Sequence, residues 1–301
     1  MHEGAFRILK ALGHGERVSR KELVRASGEA LSVVDDALGR YAKWFDQNRD
    51  GVACTQTGFA ALGRELIARQ PRNMDGVPEV SSAWRALSTL RPPPKSELDQ
   101  VFATEQTVAR RADLLVRQGE LQRGLAFVGD DDLTSAAVCA VSKTERAVSV
   151  VEVDDEILSL LRSGARDHAW NLSTIAHDLR EPLPRKLDQR FGCVFTDPPY
   201  AVEGFSLFVS RAVTLLKPDG RLYVCFGYSR RASERGLAKQ RVLSEVGLLV
   251  EQVYDGFNQY DGAESIGGQS ALWVCRRTPA TKPVVRGIVE GPLYTSRPPN
   301  R

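Results

Sequence analysis

From about residue 99 onward, short apolar runs alternate with amphipathic stretches, and this alternation restricts the fold more than any other feature of the sequence. The apolar runs have the length of buried strands, and the amphipathic stretches have helical periodicity. Strands are expected at 125–128, 148–153, 174–176, 193–196, 222–226, 248–253 and 271–274, and helices at 108–118, 135–141, 156–161, 205–216 and 234–245. Such alternation predicts an α/β domain with a doubly wound parallel sheet.

The first 70 residues follow a different pattern and predict a small helical domain. Apolar residues at helical spacing occur at 6–12 and 31–41, and Ser19 with Glu22 forms a capping-box pattern between them. A turn at 48–51 precedes the strand-like segment 52–55. Three helices followed by a short hairpin resemble a winged helix-turn-helix.

A winged-helix-like domain can bind DNA, or it can serve as a packing or dimerisation module. The helix that would enter the DNA groove carries Asp35 and Asp36, and cations follow only at Arg40 and Lys43. Carboxylates at that position would face phosphates, which is unfavourable. We therefore expect a homodimer, and we do not expect a nucleic acid partner.

Prolines mark residues 71–98 as a linker, with Pro71, Pro78 and a proline run at 92–94. Trp84 and Leu87 indicate that part of this segment packs on a neighbour. The expected organisation is a winged-helix-like domain at 1–70, a linker at 71–98 and a catalytic domain at 99–301.

Composition restricts the remaining possibilities. There are 41 Lys and Arg against 38 Asp and Glu, and this net charge of +3 neither requires nor excludes nucleic acid. The five cysteines are an odd number without a CxxC pair, so neither a disulfide framework nor a zinc site is expected. There is no apolar run of the roughly 20 residues that a membrane span needs, and no apolar segment typical of a signal peptide follows Met1. We expect a cytoplasmic protein without a membrane partner.

Carboxylates follow each of the first four predicted strands. In a doubly wound sheet, ligands bind beyond the carboxyl ends of the strands at the switch point. The acids there are Asp130, Asp131 and Asp132 after the first strand, Glu152 and Asp154 after the second, Asp178 after the third, and Asp197 after the fourth. A single Asp in such a place usually caps a helix or forms a turn, as Asp131 or Asp132 would. Because clustered like charges are unfavourable, acids after all four strands predict a cationic or hydrogen-bonding ligand.

The ligand after the first strand is not expected to be a dinucleotide or a metal ion. Gly129 is the only glycine of that loop, and the three acids after it would repel a pyrophosphate. His177 is the only histidine near the acids, and a turn position explains it as well as metal binding does. A nucleoside with a sulfonium arm would instead be attracted. The residues expected to bind it are Gly129, Asp130, Asp131, Glu152, Asp154 and Asp178, with Glu152 suited to ribose hydroxyls and Asp178 to the adenine amine.

The sequence Asp-Pro-Pro-Tyr at 197–200 is the sharpest local motif. Paired prolines hold the chain extended and present the Asp side chain to the pocket. A carboxylate within hydrogen-bond reach of an amine can orient the amine and accept its proton. We therefore expect Asp197 to be the principal catalytic residue, with Asp130 as the second. A plain proline turn is the structural alternative.

Taken together, these segments resemble the branched-chain polyamine synthase family. The resemblance rests on residues 99–100, 104, 129–135, 151–154, 178–184, 196–199, 226–231 and 257–260, and it extends over about 96–295. It implies a class I methyltransferase-like Rossmann fold, which is a doubly wound α/β sheet, with a small N-terminal winged-helix-like domain. It also implies transfer of an aminopropyl group from decarboxylated S-adenosylmethionine to a polyamine such as spermidine, with release of methylthioadenosine and without a metal. The expected substrate-binding residues are Asp132, Pro198, Tyr200, Glu203, Asn258 and Tyr260.

One departure from the family pattern keeps alternatives open. Asp-Pro-Pro is followed by Tyr200 where the family usually has an acid, although Glu203 lies nearby. An aromatic residue at that place also occurs in amine methyltransferases, where it stacks on a base. The alternatives are an S-adenosylmethionine-dependent amine methyltransferase acting on a nucleic acid base or a small molecule, and a non-catalytic regulator that senses a polyamine or nucleoside.

Overall fold

The computed structural model describes residues 1, 3–69, 78–142, 147–228, 232–262 and 268–291. The chain divides into two compact units, 1–70 and 71–301. Parts of the predictions made above lie outside the described residues, namely residue 70, the start of the expected linker at 71–77, and the segments 229–231 and 292–301.

The described residues of the first unit form four α-helices, a short 3₁₀ helix at Ala42–Trp44 and one hairpin. Its elements are α1 (Glu3–Ala11), α2 (Arg20–Ser27), α3 (Leu31–Arg40), β1 (Phe45–Asn48), β2 (Gly51–Cys54) and α4 (Gln56–Ala68). The predicted capping box is present, because the Ser19 side chain accepts from the Glu22 N–H and the Glu22 carboxylate accepts from the Ser19 N–H. The strands β1 and β2 pair antiparallel across the predicted turn, with Asn48 opposite Gly51. The winged-helix assignment stays a prediction.

The second unit carries a seven-stranded sheet between layers of helices. Its helices are α5 (Ser82–Ser88), α6 (Glu105–Arg117), α7 (Glu120–Arg123), α8 (Thr134–Val141), α9 (Asp155–Asp167), α10 (Val202–Leu215) and α11 (Ser233–Val246). Its strands are β3 (Leu125–Val128), β4 (Val148–Glu152), β5 (Leu172–Ala176), β6 (Phe191–Thr196), β7 (Leu216–Phe226), β8 (Leu248–Gln259) and β9 (Gln269–Arg277). Every predicted strand is therefore present, and β7 and β8 are much longer than expected. None of the described helices is long and apolar enough to span a bilayer.

The strand order is β5-β4-β3-β6-β7-β9-β8. The first five of these strands are parallel, but β9 is antiparallel to both β7 and β8. The predicted doubly wound sheet is therefore present, and its antiparallel edge is the part that the expectation of a parallel sheet did not include. The connection from β8 to β9 is too short for a crossover, so it can only reverse the chain direction. The order changes direction between β3 and β6, and the ends of these two strands carry the first acidic loop and Asp197.

Residues 78–98, expected to be a linker, belong to the second unit. Trp84 of α5 is 3% exposed, and α5 packs against α8 and α9, with Trp84 and Leu87 in the hydrophobic core. Its indole Nε1 donates to the Leu133 carbonyl over 2.9 Å. The helix α5 is thus fixed against the loop that follows β3, in accordance with the packing expected for Trp84 and Leu87.

We expect Trp84→Ala to lower the free energy of unfolding by about 3–5 kcal/mol, because the change leaves a large cavity and leaves the Leu133 carbonyl with only the bond from the Ala137 N–H. Trp84→Phe keeps most of the buried area, so its loss is expected to be about 1–2 kcal/mol. Urea denaturation followed by circular dichroism measures both values. A loss below about 0.5 kcal/mol for Trp84→Ala, as is usual for a surface position, would contradict the packing of α5.

Candidate active site

Two adjoining cavities lie at the carboxyl ends of the parallel strands. The first has a volume of about 610 Å³ and is lined by Leu98, Asp99, Gln100, Gly129, Asp131, Val151, Glu152, Val153, Asp178, Leu179, Arg180, Asp197, Pro199 and Phe208. The second has a volume of about 540 Å³ and is lined by Asp99, Val101, Asp197, Pro198, Tyr200, Cys225, Gly227, Lys239, Tyr260, Gly268, Gln269 and Ser270. Asp99 and Asp197 line both cavities, so Asp197 lies where a ligand in one cavity would meet a ligand in the other.

The loop after β3 needs its glycine. Gly129 has a φ of +72°, and a Cβ there would lie 3.4 Å from the Phe208 ring. Its N–H donates to the Val151 carbonyl over 2.9 Å, which ties the loop to β4. The backbone of Gly129 thereby forms part of the wall of the first cavity.

Asp130 points toward the start of α8. Its carboxylate accepts from the Ser135 N–H over 3.2 Å and from the Ser135 hydroxyl. Asp130 therefore satisfies a free N–H group of the helix, which is the role expected above for Asp131 or Asp132. Burial raises the pKa of Asp130 well above its ordinary value. The catalytic role expected of Asp130 stays a prediction, and these contacts favour a structural one.

Glu152, at the end of β4, is a fixed hydrogen-bond acceptor at the edge of the first cavity. Its carboxylate accepts from three backbone N–H groups, those of Asp130, Val153 and Asp154, at 2.9, 2.7 and 2.9 Å. Burial raises its pKa despite these bonds. The arrangement suits the ribose-binding role expected of Glu152, because the side chain has one defined orientation.

Two further acids expected to bind the nucleoside already have cationic partners. Asp154 caps α9 and accepts from Lys95 Nζ over 2.8 Å. Burial raises the pKa of Asp154, but the hydrogen bonds from Lys95, Gln100 and the Glu156 N–H together outweigh it, and the net shift is downward. Asp178 lines the first cavity and pairs with Arg180 over 2.5 Å, which lowers its pKa. Their nucleoside-binding roles stay predictions, and His177, whose ring Nε2 lies 3.2 Å from the Glu181 carbonyl and whose N–H donates to the Glu152 carbonyl, fits a turn position.

Arg111 of α6 holds the acidic loops together. Its buried guanidinium donates to Asp132 Oδ2 and to Asp197 Oδ2, each over 2.6 Å, and through Nε to Asn258 Oδ1 over 2.8 Å. One cation thus connects the segments that follow β3 and β6 with the end of β8. The sequence analysis missed this residue, although Arg111 lies on the apolar stripe of α6 between Val108 and Leu115, which was a usable signal.

Asp197 is held on one side and open on the other. The Tyr260 hydroxyl donates to its Oδ2 over 2.9 Å, next to the bond from Arg111. The Asp197 side chain remains 22% exposed and faces both cavities. Burial raises the pKa of Tyr260 well above its ordinary value, so the phenol keeps its proton and acts as a donor. The carboxylate therefore has a fixed orientation, and its Oδ1, which has a longer contact of 3.2 Å with the Tyr260 hydroxyl, forms the edge that a ligand can meet.

The other residues expected to bind substrate are divided between the cavity and its surroundings. Pro198, Tyr200 and Tyr260 line the second cavity. Asp132 and Asn258 lie buried behind them, where Asp132 accepts from the Ala103 N–H and Asn258 orients Arg111. Glu203 is exposed in the first turn of α10. Direct substrate contact stays a prediction for all six residues.

Lys239 of α11 is a second cation that the sequence analysis missed. It is 2% exposed, lines the second cavity, and donates to the Gly227 carbonyl over 2.8 Å. Its Nζ lies 4.7 Å from the centroid of the Tyr200 ring. Burial lowers the pKa of Lys239 from 10.5 to about 8. Like Arg111, it lies on the buried face of its helix, together with Gly236 and Val242.

Among the described residues, Asp131 is the cavity-lining carboxylate without a hydrogen-bond or ion-pair partner. Burial and the neighbouring acids, Asp132 first, raise its pKa well above the ordinary value. A cation bound beside it would relieve this repulsion. The described part of the chain contains no group of three His, Cys, Asp or Glu side chains placed to hold a metal ion.

We expect Lys239→Met to be more stable than the wild type at pH 7, by about 1–3 kcal/mol, since the wild type buries a charge there. Between about pH 8 and 10.5 the lysine is neutral in the folded state and charged in the unfolded state. The unfolded wild type then binds more protons, so wild-type stability rises with pH and the difference shrinks. Urea denaturation of both proteins from pH 7 to 10.5 measures this difference in the free energy of unfolding. A constant difference would contradict the lowered pKa.

Comparison with known proteins confirms the resemblance on which the site was interpreted. Residues 79–284 match the family described as the branched-chain polyamine synthase A C-terminal domain. The chain belongs to this family. The Gly-Asp-Asp-Asp loop and the Asp-Pro-Pro turn that carried the resemblance both lie within the matched residues.

Family relatives from Thermus thermophilus match most of the chain. A protein named N(4)-bis(aminopropyl)spermidine synthase is 33% identical over 271 residues, which is 86% of this chain and 75% of that protein. The crystal structure of the branched-chain polyamine synthase C9 mutein, in complex with N4-aminopropylspermidine and 5'-methylthioadenosine, has 25% identity and a TM-score of 0.63. That match covers 98% of this chain and 92% of the other.

Other matches are partial. The chain spans about half the length of three of the curated relatives that it matches. A putative RNA methyltransferase from Pyrococcus horikoshii shares the fold alone, with 16% identity, a TM-score of 0.50, and coverage of 64% of this chain and 96% of that one. The second unit therefore has a class I methyltransferase-like fold, as predicted.

Proposed function

We propose that this chain transfers an aminopropyl group from decarboxylated S-adenosylmethionine to an amine of an aliphatic polyamine such as spermidine, and releases methylthioadenosine. The observation that carries the proposal is the position of Asp197, which faces both cavities with one oxygen held by Arg111 and Tyr260. The Thermus relatives, one named for this activity and one crystallised with the corresponding products, support it.

The first cavity suits the donor. Glu152 offers a fixed acceptor for ribose hydroxyls, and Asp178 lies at the same cavity in reach of a purine amine. The aminopropyl arm of decarboxylated S-adenosylmethionine carries a sulfonium and an ammonium but no carboxylate. The charged groups of this arm therefore need only anionic partners. Asp131, whose carboxylate has no hydrogen-bond or ion-pair partner among the described residues, would meet this positive charge, and the surrounding acids would steer the donor toward the cavity.

The second cavity suits the acceptor, and Asp197 aligns the two substrates. The acceptor nitrogen forms a bond to the methylene carbon beside sulfur. The carbon–sulfur bond breaks, and its electron pair remains on sulfur as neutral methylthioadenosine leaves. Positive charge thereby moves to the nitrogen, whose proton Oδ1 of Asp197 can accept. A preorganised carboxylate at the place where this charge develops, together with alignment of the substrates, accounts for rate enhancement.

Parallel incubations with the two possible donors test the proposal. With decarboxylated S-adenosylmethionine and an amine panel that includes spermidine, we expect methylthioadenosine and an amine heavier by one or more aminopropyl groups in the mass spectrum. With S-adenosylmethionine we expect no transfer. Release of adenosylhomocysteine from S-adenosylmethionine, without methylthioadenosine from the other donor, would establish a methyltransferase instead.

We also propose that the first unit serves packing or dimerisation in a homodimer in the cytoplasm. In support, α4 carries exposed apolar side chains at Leu66 and Ile67, which are 40% and 70% exposed. Sedimentation of the whole chain tests the dimer, and a monomer at micromolar concentration would contradict it.

A further inference from the structure

The wall of the second cavity contains a positively charged side chain, although the expected ligand is a polycation. Lys239 is buried in the middle of α11, and its one hydrogen bond in the described structure goes to the Gly227 carbonyl. No carboxylate lies within ion-pair distance of its Nζ among the described residues. The aromatic rings of Tyr200 and Phe205 lie at 4.7 and 5.2 Å.

A buried lysine of this kind is costly to the fold. Burial penalises its charged form, and a single carbonyl bond and two aromatic faces compensate only in part. An apolar side chain of the same length would fill the position without that penalty. We therefore infer that Lys239 acts on the choice of ligand that the second cavity binds.

Aliphatic polyamines carry an ammonium group every three or four carbons. If the reacting nitrogen lies at Asp197, any arm that extends toward Tyr200 brings its ammonium against Lys239. Two unit charges about 5 Å apart near a protein surface repel by an amount that corresponds to at least about a 10- to 100-fold loss of affinity. A terminal amine of a diamine has one arm, which can point away from Lys239. The internal amine of spermidine has two charged arms.

We propose that Lys239 limits the number of charged arms that the acceptor amine can carry. The second cavity then selects an amine with a single charged arm over an amine flanked by two charged arms. This inference rests on the proposed aminopropyl transfer and narrows its acceptor. It distinguishes the chain from the Thermus mutein crystallised with N4-aminopropylspermidine, whose name places the added group on an internal nitrogen.

The main comparison is between two acceptors that share an internal secondary nitrogen and differ in the charge of one arm. Spermidine is compared with N-butyl-1,3-diaminopropane, which has the same internal nitrogen but an uncharged butyl arm, and putrescine serves as the diamine. For the wild type we expect kcat/KM to be about 10- to 100-fold higher for the butyl compound and for putrescine than for transfer to the internal nitrogen of spermidine, which the product with the aminopropyl group on that nitrogen reports. In Lys239→Met, and in Lys239→Gln as a second neutral variant, this preference should fall to within about 3-fold, mainly through KM for spermidine.

Two control variants separate charge from other effects. Lys239→Arg keeps the charge and should keep the preference. Lys282→Met removes an exposed lysine that follows β9, at the opposite edge of the sheet, and should leave every rate unchanged. Thermal unfolding of each variant verifies that it is folded.

The outcomes are distinct for the two proposals. A wild type that transfers an aminopropyl group to no amine contradicts the proposed function. A wild type that transfers, with a preference unchanged in both neutral variants, contradicts only the role of Lys239. An equal fall of kcat for all three acceptors in Lys239→Met would also overturn it, because Lys239 would then act in the chemical step.

Discussion

Asp197→Asn is expected to lower kcat by about 10²–10⁴-fold while the chain folds normally. The amide has the size of the carboxylate and can still accept the bond from Tyr260. It cannot take a proton from an amine, and it presents no negative charge to the nitrogen that becomes cationic. Arg111 retains its bonds to Asp132 and Asn258, so the site is not left without charge balance.

Single-turnover release of methylthioadenosine measures this effect, and thermal unfolding verifies the fold. Asp188→Asn is the matched control, since Asp188 is exposed and precedes β6 at the opposite edge of the sheet. The control should retain wild-type turnover. Turnover of Asp197→Asn within 3-fold of the wild type would show that Asp197 takes no part in the reaction. The fold assignment would not be affected by that result.

Arg111→Met is expected to have the largest combined effect on stability and activity. The substitution leaves Asp132 buried with only a distant cation, Arg91 at 4.0 Å, and it frees Asp197 from its main orienting bond. We expect the free energy of unfolding to fall by about 3–5 kcal/mol, because a buried charge loses its partner. We expect kcat/KM to fall by at least about 100-fold, because the carboxylate at the junction loses its fixed orientation.

A second substitution distinguishes these two effects. In the double variant Arg111→Met, Asp132→Asn the uncompensated charge is removed, so part of the stability should return while activity should not. Arg111→Lys keeps a charge but not the fork that reaches three partners, so its loss of activity should be intermediate. Chemical denaturation and steady-state kinetics measure the four proteins. Full recovery of activity in the double variant would show that Arg111 serves stability alone.

Several features of the site could be predicted from the sequence because they are local. The apolar runs specified the strands of the second unit, and the ends of parallel strands meet at one edge of a sheet. The acids after β3, β4, β5 and β6 therefore had to come together, and Asp197 had to lie at the switch point. The antiparallel edge was missed because a period of two does not encode strand direction.

Other features depend on contacts between distant parts of the chain. The bond from Arg111 to Asp197 joins residues 86 positions apart, and the bond to Asn258 joins residues 147 apart. Lys239 reaches the second cavity only because α11 packs against the segment that follows β6. Both cations lie on the apolar faces of amphipathic helices, and that pattern alone does not show which strand end they meet.

The sequence by itself thus determined that carboxylates gather where a cationic substrate binds, because residue order and strand direction are sufficient to place them at one edge. Only the tertiary structure decided the state of each carboxylate. Asp130 and Glu152 are hydrogen-bonded to backbone, and Asp132, Asp154, Asp178 and Asp197 are paired with cations. Asp131 has no such partner for its carboxylate among the described residues, and it faces the first cavity with Asp197. The physical reason is that pairing and desolvation are set by side chains brought together through packing, which short-range sequence patterns do not specify.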